Sequence, residues 1–422
     1  MAASVAYAAP GPGPGVGQRA FWRGWDLAIV FLALMLAGDT LNRWGISAPA
    51  WMLVYGLAFL RILSVWPTFW QVLVRNRVCI AYPLVALVSV LWSFDRPATV
   101  AGGIQLLMSA FIAMFAGWRY APRQLMLIAL GALGLGVMAS AVNWATLVFG
   151  GPLYSAVGGL LGIYTNKNML GHYGLMVVLL AVSVTLMPPP EAPRPLRLLT
   201  PLVAGIAAFM VVLSLSMTSV VLMPCYVMLL FLLNRRRMPV LLRFAMVAGV
   251  VLLAGSVPLL LGLLGLDPFT LLLDATGKDA TLTGRTELWA IAAENIAQAP
   301  LFGHGYQAFW SSSQFAAQHF AVLRAGATAP SFHNFIADVM IGNGLIGLIA
   351  MLAMILRSLS LAFGFWRRDG SAVAVAALVT LLLPVTLAMV EPYFYRQHEV
   401  MTMWVIMMGV SILHHSLPRT TR

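Results

Sequence analysis

The chain is a succession of apolar runs of roughly 20 residues, separated by short polar and basic segments. A run of that length coiled as a helix crosses the ~30 Å hydrocarbon core of a bilayer. Of the 422 residues, 61% are hydrophobic and 9% are charged, whereas soluble domains carry about 25% charged residues. A water-soluble fold of this size has no way to hide that much apolar surface. The reading is therefore an all-α integral membrane protein with about 12 transmembrane helices. The 37 glycines and 24 prolines agree with it, since neighbouring helices can satisfy a broken backbone inside a membrane.

Spans are expected near 22–38, 46–66, 78–92, 100–118, 124–148, 168–187, 198–216, 218–233, 240–265, 333–356, 371–390 and 398–415. The third is short and can extend toward Arg75; the eighth shares a tight turn with the seventh. This divides the chain into a disordered, Ala/Gly/Pro-rich N-terminus (1–21), helices 1–9 (22–265), a large loop (266–332), helices 10–12 (333–415) and a tail (416–422). No charged segment followed by a cleavage site precedes the first span, so that span is expected to be retained.

Charge sets the orientation. Seven of the 25 Lys and Arg (Arg43, Arg96, Lys167, Lys278, Arg285, Arg324 and Arg396) fall on one side of this layout, and the rest fall on the other. The positive-inside bias then places both termini in the cytoplasm and the 266–332 loop outside. Most acidic residues lean outward, which makes the outer face the polar, mixed-charge face. The net charge of +12 thus belongs to loops; with no basic stripe or nucleic-acid signature, nucleic acid is excluded as a partner. Cys79 and Cys225 make neither a disulfide framework nor a metal site and read as packing residues.

Chemistry-bearing residues gather on that outer face. In the long loop, 283–299 (TGRTELWAIAAENIAQA) reads as an amphipathic helix with Leu288, Ile291, Ala292 and Ile296 on one face and Thr283 as cap. Arg285 near its N-terminus opposes the helix dipole, which suits an anion-binding arginine or one paired to Glu287 or a lipid headgroup. His333-Asn334 opens a span, with Asp338 about one turn on: a general base at the interface, or a capping residue. Gly342, Gly344 and Gly347 read as close helix packing, and His304, between two glycines, as a turn residue. Lys167, beside Asn168, either binds an anionic substrate or snorkels. Glu391, Arg396 and Glu399, with Tyr393 and Tyr395, suit sugar and phosphate binding or form a solvated loop. Ionisable groups at membrane depth are functional candidates by default.

These blocks carry a resemblance. LTGRTELW (282–289), PLFGHGYQAFW (300–310) and HNFIADVMIGNGLIGL (333–348) resemble the C-terminal signature of the O-antigen ligase and Wzy-type polysaccharide polymerase superfamily. LWSFD (91–95) with Pro97 and Thr99, and TNKNMLG (165–171), resemble further blocks of its exopolysaccharide-polymerase branch. The likeness covers about residues 80–400.

The resemblance implies a multi-pass glycosyltransferase of the bacterial inner membrane, working at the periplasmic face without a nucleotide sugar, cofactor or metal. The sequence itself contains no DxD-like carboxylate cluster. The implied donor is a glycan on undecaprenyl pyrophosphate. In a polymerase the acceptor is another lipid-linked repeat unit; in a ligase it is lipid A-core. Arg285 falls on the family's pyrophosphate-binding arginine and His333 on the histidine that activates the acceptor hydroxyl. Many members carry a second arginine where this chain has Met217, so a second cation either comes from elsewhere, such as Arg324, Arg396 or Lys167, or is absent. Asn168, Asn334, Tyr306 and Glu391 complete the expected substrate-binding set. Membrane lipids and a chain-length regulator are the other expected partners. Polymerase is the leading reading, with ligase second and a transporter or flippase as the non-enzyme alternative. A transporter would place charges mid-membrane and show repeats.

Overall fold

A computed structural model describes residues 16–156, 158–187, 194–234, 285–319 and 331–416, with the side chains of 16–21 and 285–287 left out. The apolar runs are helices: α1 (Val16–Ala37), α2 (Ser47–Ser64), α3 (Trp66–Arg75), α4 (Val78–Val88), α5 (Arg96–Arg119), α6 (Pro122–Thr146), α7 (Lys167–Leu186), α8 (Arg194–Leu213), α9 (Met217–Leu233), α10 (Arg285–Gln298), α11 (Phe335–Asp369), α12 (Ala372–Ala388) and α13 (Val400–His415). Six of them, α2, α5, α6, α7, α8 and α11, have the length and apolarity to cross a membrane alone, and α3 with α4 makes a bent seventh. The molecule is an all-α integral membrane protein. The expected span at 240–265, the N-terminal segment 1–15 and residues 266–284 and 320–330 of the loop lie outside the described residues.

Two expectations are corrected. The third span does not lengthen toward Arg75. Instead α3 is a separate helix, set at 92° to the α4 stretch. It is amphipathic, with Phe69, Val72 and Leu73 buried and Trp66, Trp70 and Val74 exposed. The polar Arg75-Asn76-Arg77 corner is where the chain turns, so that α3 and α4 together make a broken span or a re-entrant pair. The tenth span is also longer than 333–356. At 35 residues α11 reaches about 52 Å, well beyond the bilayer core, and it is interrupted at Gly344 (φ 61°, ψ −162°). The 25 residues that follow the break suffice to cross; the piece before it belongs to the outer end.

The helices sort by burial. α13 is buried on every side from Val400 to Ile412, and α7 and α12 nearly so. These three form the centre of the bundle, apolar all round because all their neighbours are protein. α2 and α8 keep much of their surface exposed, as helices facing lipid do. Small residues permit the closest approaches. A Cβ on Gly117 would lie 2.5 Å from the Met407 carbonyl oxygen of α13, and one on Gly171 would lie 2.5 Å from Ser216 Cβ at the start of α9. In lipid, where apolar burial drives little association, such contacts hold helices together.

Polar groups concentrate at the two ends of the bundle. At one end, Asp26 is fully buried and accepts hydrogen bonds from Arg61 Nε (2.6 Å) and Arg119 Nε (2.7 Å), tying α1, α2 and α5 together. Nearby, Arg357 donates to Asn76, whose side-chain amide meets His414 Nε2 at 3.1 Å. This is the arginine-rich end. All the candidate site residues that the structure describes lie at the other.

Candidate functional site

The end of the bundle opposite Asp26 is assembled from loops that dock on one another through backbone. The segment after α10 runs beside the break in α11: His304 N donates to Ile341 O (2.8 Å), Gly305 N to Gly342 O (2.9 Å) and Leu345 N to Pro300 O (2.9 Å). Thus the loop satisfies the backbone groups that the unwound turn releases, the condition for breaking a helix at a membrane boundary. The approach requires glycine. A Cβ on Gly344 would run into the Leu301–Phe302 backbone, and one on Gly303 would lie 2.6 Å from Asn343 N. His304 is buried and its Nε2 meets the Asn295 carbonyl at 3.0 Å, so it anchors the loop to α10.

The 91–99 block seats the same loop from the other side. Trp92 Nε1 donates to the Phe302 carbonyl (3.0 Å), Phe94 N to the His304 carbonyl (3.2 Å) and Thr99 Oγ1 to the Tyr306 carbonyl (2.7 Å), while Asp95 caps α5. Beside it an open polar groove of about 680 Å3 is lined by Ser93, Phe94, Asp95, Arg96 and Ser311–Ser313. The amphipathic α10 closes this region. Leu288 and Ala292 are buried against Phe309, Phe315, Phe332 and Ile341, with Ile291 and Ile296 packed on them. Trp289 Nε1 donates to the Phe332 carbonyl at 3.0 Å, holding α10 to the residue before His333.

His333 sits where three elements meet. Its backbone is left-handed (φ 49°), a conformation that costs a non-glycine residue about 1–3 kcal/mol and persists where surroundings impose it. Its Nδ1 is buried and lies 3.4 Å from Glu391 Oε2, while the ring as a whole is 22% exposed. Glu391 comes from the end of α12 and accepts, on Oε1, the Asn168 side-chain amide of α7 at 3.0 Å. One turn further along α7, His172 is buried and its Nδ1 meets the Tyr393 hydroxyl. The 391–399 loop carries two more left-handed residues, Phe394 and His398.

Several candidates have structural occupations. Asn334, not His333, caps α11, its Oδ1 accepting from Ile336 N (2.9 Å) and Ala337 N (3.3 Å). Glu399 caps α13 with bonds of 2.7 Å from both Met401 N and Thr402 N. Tyr306 is completely buried and gives its hydroxyl to the Tyr395 carbonyl at 2.7 Å. Burial pushes the Tyr306 and Tyr395 phenols up, so both stay neutral struts. Arg396 lies among Tyr306, Tyr395, Asp338 and Glu399, close enough to act on their charges.

The TNKN segment is held by the turn that follows α1. Asp39 Oδ2 accepts from Thr165 Oγ1 (2.6 Å), and Arg43 donates to the carbonyls of Gly162 and Pro152. Asn166 then caps α7, leaving Lys167 in its first turn. Lys167 passes over Gly159, which also abuts Ser214, so it lies beside the turn leading into Met217. Arg324, Lys278 and Thr283 lie outside the described residues, as does the Arg285 side chain, though Arg285 does begin α10. Among the described residues no group of three or more His, Cys, Asp or Glu is placed to hold a metal ion.

Fold and site together define a multi-pass, all-α membrane protein with a polar site at one end of its bundle. Residues 202–352 match the O-antigen ligase family model. The chain is also similar to the exopolysaccharide production protein ExoQ of Rhizobium meliloti (strain 1021), 30% identical over 305 residues, or 65% of this chain and 62% of that protein. Both likenesses agree with the resemblance read from the sequence blocks.

Glu391–His333 and His172–Tyr393 are pairings that sequence reasoning missed. Their only trace was that each member opens or closes a span at the same face.

Proposed function

We propose that the protein is a polysaccharide polymerase of the bacterial inner membrane, transferring a glycan chain from undecaprenyl pyrophosphate to a lipid-linked repeat unit at the periplasmic face. The observation that carries this reading is the meeting of His333, Glu391 and Asn168, from the segment before α11, the loop after α12 and the first turn of α7, with Lys167 and Arg396 in the same end of the bundle. The acceptor hydroxyl oxygen attacks the anomeric carbon of the donor, and the bond from that carbon to the pyrophosphate oxygen breaks. His333 takes the hydroxyl proton as general base. Arg285 and Lys167 stabilise the charge growing on the departing lipid pyrophosphate. Two lipid-anchored substrates held side by side supply the proximity that the reaction needs. The serine-rich groove beside Phe94 suits the sugars of the chain.

The family model bears the description of a ligase, whereas the relative's name speaks of exopolysaccharide production; the second favours the polymerase. Both readings are tested by reconstitution with a defined undecaprenyl-pyrophosphate-linked oligosaccharide, with EDTA present. Products lengthened by whole repeat units are expected from that substrate alone. Products only when lipid A-core is added make the protein a ligase, and dependence on a restored divalent cation overturns metal independence. Flipping of the substrate without any new glycosidic bond would make the protein a transporter.

A further inference from the structure

His333 and Glu391 approach each other in a way that a pair of independent substrate contacts has no reason to. The two residues come from different helices, before α11 and after α12, and Asn168 reaches them from a third. Glu391 divides its carboxylate between two neighbours: Oε1 accepts the Asn168 amide at 3.0 Å and Oε2 faces His333 Nδ1 at 3.4 Å. A carboxylate engaged at both oxygens keeps its plane. Nδ1 of His333 is buried although the side chain retains 22% exposure, which leaves Nε2 as the ring nitrogen for substrate. The 3.4 Å separation is an ion-pair distance rather than an aligned hydrogen bond, a common state of catalytic contacts before substrate arrives.

We propose that Glu391 is a positioning residue for His333: it holds the proton-bearing Nδ1 side of the imidazole inward, so that Nε2 faces the acceptor hydroxyl as base, and Asn168 fixes Glu391 for that task. This rests on the polymerase reading above and deepens it, moving Glu391 and Asn168 from substrate contacts to the support of one reacting nitrogen. The chemistry is that of any base oriented by a third group through its far nitrogen. The acceptor proton passes to Nε2, the Nδ1 proton stays on the ring, and the imidazolium formed is stabilised by Glu391 without a second proton transfer. The local backbone supports the same assignment. The left-handed turn at His333 and the Asn334 cap immediately after it hold the ring's Cα while Glu391 sets its rotation. The His172–Tyr393 pair lies nearby, with His172 within electrostatic reach of Glu391.

The test uses the full-length protein in vesicles with a synthetic undecaprenyl-pyrophosphate-linked oligosaccharide, comparing wild type, Glu391→Gln, Glu391→Asp, Asn168→Ala, His333→Gln and the double variant His333→Gln/Glu391→Gln. Glu391→Gln keeps the size and one acceptor oxygen but loses the charge. It is expected to lower kcat on the order of 10–10²-fold, short of the ~10²–10⁴-fold expected for loss of the base itself, with KM for the lipid-linked substrate unchanged. Glu391→Asp should recover part of the loss, and Asn168→Ala should show a smaller fall of the same kind. The double variant should be no slower than His333→Gln alone, because residues that act as a unit are not additive. A raised KM with retained kcat in Glu391→Gln would make Glu391 a substrate contact. A double variant slower by the product of both single effects would show independent action. Either result overturns the proposal while leaving the polymerase reading standing. No elongation by wild type fails the polymerase reading itself, and near-wild-type turnover by His333→Gln fails the base assignment; each takes this proposal with it.

Discussion

A residue with positive φ beside a helix cap is an odd place for a histidine, and at position 333 the oddity is informative. Asparagine or glycine would adopt that backbone at less cost, yet the chain places asparagine one residue later, as the cap, and spends the strained position on an imidazole. Of the two roles that one sequence block left open, capping falls to Asn334. Replacing Asn334 by Ala should therefore cost stability, about 1 kcal/mol, read as a lower melting temperature in detergent micelles, with KM unchanged. At the far end of the bundle Asp26 makes a sharper case. It is buried between two arginines, and removing it leaves uncompensated buried charge. Asp26→Ala is expected to destabilise by about 3–5 kcal/mol, visible as poor recovery of monodisperse protein. Recovery at wild-type level would show that water reaches the arginines from the membrane surface.

At the scale of elements, the apolar helices were legible because lipid leaves a helix little freedom: about 20 apolar residues in a row announce themselves in any context. What was not legible is how loops dock. The 300–305 segment and the broken turn at 341–346 pair through backbone atoms, and backbone pairing leaves no side-chain signature except the glycines it needs. Gly303, Gly305, Gly342 and Gly344 read separately as turn or packing residues; only the fold reveals that they face each other. The Arg75-Asn76-Arg77 corner likewise signalled a polar interruption but not the 92° turn that it produces. Gly344→Ala is expected to lose the docked loop, since the new Cβ meets backbone and the φ is unfavourable. The cost is roughly 1–3 kcal/mol from backbone strain alone. Faster proteolysis between α10 and α11, with inserted protein retained, is the expected result. Wild-type resistance would mean that the loop is held chiefly by the 91–99 block.

For the whole molecule, the separation of polar groups into two ends agrees with the charge asymmetry of the sequence. Arg61 and Arg119 meet Asp26 at one end, while Lys167, Glu391 and Arg396 gather at the other. The sequence offered the candidate site as a face and, through family likeness, as His333 and Arg285, but not as a set of partners; of those two side chains the structure describes only that of His333. Partnership joins residues more than 200 positions apart, such as Asn168 and Glu391. Reporter fusions within the 266–332 loop should report the periplasm, and fusions at either terminus the cytoplasm. The central claim is that His333 is the base of an elongation reaction at that outer face. Its most direct test is the single-turnover rate of wild type and His333→Gln in vesicles loaded with a defined undecaprenyl-pyrophosphate-linked oligosaccharide. An amide can hold a hydroxyl but cannot take its proton. The account predicts a fall of roughly 10²–10⁴-fold in the variant with substrate still bound. A variant that turns over at the wild-type rate would contradict it.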